Sequence, residues 1–127
     1  MKAEYHLNKE KRLINTIKKL DYEDDYETLI ENYLLSAAHL INAALHKLRI
    51  LSPDKDIKHN QLYGFLIKEK TWKESTEIAQ SIQQLEQLRP SHVYGKGENG
   101  KTAHIAEKLF NEIKEICDEV LKNERNP

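Results

Sequence analysis

Between Tyr26 and Leu51, apolar residues recur at three- and four-residue spacing for about seven helical turns. They are Leu29, Ile30, Tyr33, Leu34, Ala37, Leu40, Ile41, Ala44, Leu45 and Leu48. A stripe this wide cannot be covered by one neighbour, so a helix here belongs at the centre of a bundle. The rest of the chain agrees. Valine occurs only at Val93 and Val120, while Leu, Ile, Lys and Glu are abundant, a balance that favours helix over strand.

Four more helices follow the same period. The first spans Glu4 to Leu20, with Leu13, Ile14, Ile17 and Leu20 inward. An acidic break follows, in which Asp24 or Asp25 can cap the central helix. Ser52 and Pro53 end that helix and open a third, as N-cap and first turn, which carries Ile57, Leu62, Phe65 and Leu66 and stops near Glu69. Thr71-Trp72-Lys73-Glu74 reads as a capping box for a fourth, whose inner face is Ile78, Ala79, Ile82, Leu85 and Leu88. Arg89-Pro90 ends it, because proline disfavours helix in the residue before it. The last helix begins near Thr102 or Ala103 and buries Ala106, Leu109, Phe110, Ile113, Cys117, Val120 and Leu121. The expected fold is all-α, an up-and-down bundle of about five helices in one domain over residues 1–127, with a polar tail at 122–127 that frays.

Composition excludes several classes of function. Twenty Lys and Arg stand against twenty-one Asp and Glu, so no general basic surface exists to coat DNA. The single Cys117 gives neither a disulfide framework nor a CxxC pair. No apolar run approaches the ~20 residues of a membrane span. The charged start, MKAEYHLNKEKR, lacks the apolar core of a signal peptide, so a cytoplasmic protein is expected.

One segment is more than a connector. Residues 89–102 read RPSHVYGKGENGKT and hold three of the four glycines. Gly95 to Thr102 match GxxxxGK[ST], in which backbone amides wrap phosphate, the lysine reaches the terminal phosphates and the hydroxyl meets Mg²⁺. A helix follows the motif, but no buried strand precedes it, so a true nucleotide triphosphatase is disfavoured. What remains open is a plain Gly/Lys hairpin or a local anion site on Lys96, Gly97, Gly100, Lys101, Thr102 and His104 at the helix start. Just upstream, Arg89, His92 and Tyr94 put a fixed cation, a titratable ring and a phenol within six residues. Such groups can hold a phosphodiester and move a proton, and RNA cleavage without metal needs little more.

These residues carry a family resemblance. Leu88-Arg89, the His92 to Gly95 stretch and the charged loop into the last helix resemble the late part of HEPN domains. Glu31 to Leu40 (ENYLLSAAHL) is similar to that family's polar-start, Ala-rich helix, and the resemblance covers about residues 26–121. It implies a small helical bundle of a toxin–antitoxin type system or of a nucleotidyltransferase partner. It further implies nucleotide or RNA binding, a homodimer in which two Arg89 side chains face one cleft, and no metal or other cofactor. The family's ribonuclease motif is Arg, four to six residues, then His. Here only two residues separate Arg89 from His92, and Tyr94 stands where the His is expected. That departure fits a degenerate ribonuclease or a non-catalytic binding module.

Other polar residues have plainer readings. His39 and His46 share a helix face seven residues apart, about 10 Å along the axis, too far to share a metal without other ligands. His104 is expected as a surface first-turn residue, and Trp72 as a packing anchor. Cys117 lies on an apolar stripe and belongs to the core. The run from Asp21 to Glu27 lacks the glycine and terminal glutamate spacing of a calcium loop.

Overall fold

The computed structural model describes residues 1–89 and 99–125, and in the last helix the side chains of residues 100–122. Among these residues there are five α-helices, one 3-10 turn and no strand. The helices are α1 (Ala3–Ile17), α2 (Tyr26–Lys47), α3 (Leu62–Lys68), α4 (Ser75–Gln87) and α5 (Asn99–Arg125), with the 3-10 turn His59–Gln61 before α3. The architecture is an all-α bundle. Helix α2 is its axis, packed along α1 and α5 and touching α4, while α3 pairs with α4. Leu29, Ile30, Leu34, Ala37, Ile41, Ala44 and Leu45 of α2 have no solvent exposure. No helix among the described residues is long and apolar enough to cross a membrane.

Helix α1 ends at Ile17 rather than Leu20 and α5 starts at Asn99 rather than Thr102 or Ala103, and three further boundaries differ from the sequence reading for a local reason. Helix α2 stops at Lys47, not Leu51. Arg49 turns into the left-handed region (φ 60°), and the amides of Arg49 and Ile50 bond back to the carbonyls of His46 and Leu45. This is a Schellman stop, with arginine where glycine is usual. No helix then starts at Ser52-Pro53. The chain runs irregularly to Lys58, because the buried Asn42 side chain binds both backbone groups of Ile57. Ile57 therefore precedes α3 rather than belonging to it. The Thr71–Glu74 capping box does not form either. Thr71 gives its amide and hydroxyl to Glu69, and α4 starts only at Ser75.

At the other helix start, Asp25 occupies the N-cap position of α2, but its carboxylate accepts the Asp21 amide instead of capping. Trp72 and Cys117 are both buried, as expected of anchor and core. Burial pushes the Cys117 thiol pKa up, which makes it inert.

Candidate functional site

Arg89 follows the last turn of α4 and reaches across to α2. Its Nε–H donates to Glu31 Oε1 at 2.5 Å, and Nη1 stands 3.7 Å from Glu86 Oε2. The bond to Glu31 raises the guanidinium pKa above its ordinary value. Glu86 also bonds His59 Nδ1, so one carboxylate joins an imidazole to the guanidinium network. All four side chains are half-buried, with 18–36% of their surface exposed. His59 carried no role in the sequence reading. It stands at the start of the 3-10 turn, brought over by the irregular chain before α3.

The start of α5 lies against the turn before α2. The Gly100 amide donates to Glu23 Oε2 at 3.0 Å, and a β-carbon at Gly100 would come within 2.6 Å of that oxygen. The positive end of α5 thus has a carboxylate of the same chain beside it. Thr102 is buried and Lys101 exposed. His104 is exposed on one side and stacks on Tyr22 on the other, with centroids 4.1 Å apart. Both ends of the 90–98 connection therefore rest on the first turns of α2 and the turn leading into it. His92, Tyr94, Lys96 and Gly97 lie outside the described residues.

Below His104 is a hydrogen-bonded chain that the sequence did not suggest. The Tyr22 hydroxyl donates to Glu107 Oε2 at 2.6 Å and meets the Tyr33 hydroxyl at 2.7 Å. The Tyr22 bond holds the Glu107 carboxyl below its usual range, while burial, then Tyr22, raise the Tyr33 phenol. These groups line a groove of about 570 Å³ between α1 and α5, whose apolar wall includes Leu7, Ile14 and Phe110.

The densest polar constellation is elsewhere. His6 of α1 inserts between His39 and His46 of α2, its ring 5.2 Å and 5.4 Å from theirs. His6 Nδ1 is 2.9 Å from His39 Nδ1, and His6 Nε2 is 2.8 Å from Asp56 Oδ1. The same Asp56 oxygen is 2.9 Å from His46 Nε2, and His46 Nδ1 is 3.1 Å from the Leu51 carbonyl. The Met1 amine lies 3.1 Å from Asp56 Oδ2. His6 and His46 are buried, while Asp56 keeps 37% of its side chain exposed. Burial alone would raise the Asp56 carboxyl, but hydrogen bonds from His6, His46 and the amine outweigh it and hold the pKa near 2. Burial, aided by the neighbouring His6, lowers His39 to about 4. His39 and His46 do not meet directly, as their spacing implied; what the sequence did not suggest is that His6 of α1 lies between them.

No protein-family model matches the chain, and neither a curated protein nor a solved structure matches it.

Proposed function

We propose that the protein is a HEPN-like domain that binds a nucleotide or RNA phosphate at the end of the bundle where α4 hands over to α5. The observation that carries this reading is the setting of Arg89. Its guanidinium is partly exposed, is held in place by Glu31, and keeps donors that neither Glu31 nor Glu86 uses. A pre-oriented arginine of this kind suits bidentate contact with phosphate. Lys101 and His104 stand in the first turns of α5, whose start lies beside the turn that leads into α2. His92 or Tyr94, and His59 through Glu86, would supply a proton-transfer group. In cleavage by such a site a base would take the 2′-hydroxyl proton as that oxygen attacks phosphorus, the P–O5′ bond would break with a proton given to the leaving 5′-oxygen, and Arg89 would stabilise the charge on the phosphorane oxygens, with no metal required. The homodimer and the toxin–antitoxin context belong to this same reading.

Thermal unfolding with ATP, with and without Mg²⁺, and with short RNA tests it. A ligand at a hundred times its Kd adds about 2.7 kcal/mol, a rise of several degrees for a chain this size. The shift should disappear in Arg89→Ala with helicity intact, and should not need Mg²⁺. If no ligand moves the wild-type curve, a non-catalytic module that binds a partner protein such as a nucleotidyltransferase becomes the better reading.

A further inference from the structure

The geometry points to a second site at the other end of α2: a divalent transition-metal site of the zinc class, ligated by His6 Nε2, His46 Nε2 and Asp56 Oδ1. These three atoms lie within 4.8 Å of one another. They come from three separate elements: α1, the last turn of α2 and the irregular chain after it.

With the Asp56 carboxylate ionised, its contacts with the two imidazoles call for a proton or a cation between them, in addition to the Met1 amine that also reaches this carboxylate. His46 Nδ1 faces the Leu51 carbonyl, which can only accept, so Nδ1 carries a proton. His46 Nε2 then faces the Asp56 carboxylate, a second acceptor. Either Nε2 is protonated too, or its lone pair and the carboxylate share a cation. With a metal ion in that place, His46 has the usual arrangement of a ligating imidazole, whose other ring N–H is fixed by a backbone carbonyl. His6 is prepared in the same way. Its Nδ1–H can donate to His39 Nδ1 at 2.9 Å, which leaves Nε2 free to ligate. Two ligands therefore have their orienting partners already in position.

The spacing is also close. Zinc–ligand bonds of about 2.0–2.1 Å put tetrahedral donors roughly 3.3 Å apart, so the contacts at 2.8 and 2.9 Å must open by about half an ångström, and the two imidazole nitrogens, within 4.8 Å of each other, must close by up to about 1.5 Å. The Asp56 carboxylate is held in place because Asn42 clamps its neighbour Ile57 through both backbone groups. Two neutral imidazoles and one carboxylate suit Zn²⁺, Co²⁺ or Ni²⁺ better than Mg²⁺ or Ca²⁺. The exposed side of Asp56 leaves room for a water as a further ligand. A metal here would tie α1 to α2. His39 is a positioning residue, acting through His6.

The test uses the full chain, stripped with a chelator, then titrated with Zn²⁺ by calorimetry and with Co²⁺ by visible absorption. One ion should bind per chain, with cobalt bands of four- or five-coordinate intensity and a rise in the unfolding temperature. Asp56→Asn, which keeps the side-chain size and an oxygen acceptor, should weaken binding more than 100-fold with helicity unchanged. His46→Gln should do the same, and His39→Gln should cost 10–100-fold. Should the histidine variants unfold, paramagnetically shifted signals from two imidazoles in the wild-type cobalt protein identify the ligands without substitution. Binding weaker than millimolar, or binding untouched by Asp56→Asn, overturns the proposal. Its failure leaves the Arg89 reading standing, since that site needs no metal.

Discussion

The two ends of α2 hold their charged groups in opposite ways. Glu31 near one end and His46 near the other are fifteen residues apart, about 22 Å of helix. At the Glu31 end, Arg89, Glu86 and His59 are only partly buried. At the His46 end, two imidazoles are almost wholly withdrawn from water and their nitrogens are matched atom by atom. Water screens the first set, so its pairs add little to folding and remain available to an incoming ligand. The second set is poorly screened, so each missing partner leaves a buried polar atom uncompensated. One end is therefore suited to exchange partners, and the other to hold the helices together around a fixed charge.

The sharpest way to break this contrast is Asn42→Ala. Asn42 is buried and makes three hydrogen bonds, one to Ala38 and two to Ile57. Its loss strands the backbone of Ile57 and frees Asp56 from the histidines. Urea unfolding should show a loss of about 3 kcal/mol. The corresponding change at the exposed end, Arg89→Ala, should cost less than about 1 kcal/mol. Equal losses at the two ends would erase the distinction.

Acid should separate the ends next. In metal-free protein, His39 titrates near 4 when folded and near 6.5 when unfolded. The unfolded chain therefore binds the extra proton as pH falls from 6.5 towards 4. The contribution of a neutral His39 is complete above 6.5 and drains away across that window, by up to about 2 kcal/mol. Asp56, depressed towards 2, adds a further loss below its ordinary value near 4. Unfolding midpoints at pH 7 and pH 4.5 should fall steeply in wild type and less in His39→Gln. A parallel fall in both proteins would show that His39 is not the group responsible.

This buried end was the less legible in sequence, and the reason is geometric. The period of apolar residues marked all five helices and the central place of α2, because burial of one face is a local property that spacing records. It does not record which helix lies against which face. His39 and His46 could be seen to share a side of α2, but the residue that joins them is thirty-three positions from His39. A signal was present. His6 and Glu10 continue the inner face of α1 ahead of Leu13, Ile14 and Ile17, and both are buried. Polar residues on an apolar stripe need partners, and a histidine there calls for one across the interface. Asp56 was hidden by the helix expected from Ser52. That helix loses to Asn42, whose side chain takes the backbone groups a helix would have used. At the exposed end, Arg89 was legible as a helix-ending cation, but its partner Glu31, fifty-eight residues away, was not.

The smallest expected effect bears on whether the exposed end really accepts anions. Glu23 sits at the start of α5 with its carboxylate on the Gly100 amide, a donor that a phosphate at this helix start would also use. If that helix start belongs to the phosphate site, Glu23 competes with the ligand. Glu23→Gln removes the charge while keeping an oxygen for the amide. It should cost about 0.5 kcal/mol of stability through the lost interaction with the helix dipole. The nucleotide- or RNA-induced rise in unfolding temperature should nevertheless grow, because one negative charge no longer repels the phosphate. An unchanged rise would confine the site to Arg89 and its neighbours and remove Gly100, Lys101 and Thr102 from it. The sign of this one shift decides between a site that spans the α4–α5 connection and one that sits on the end of α4 alone.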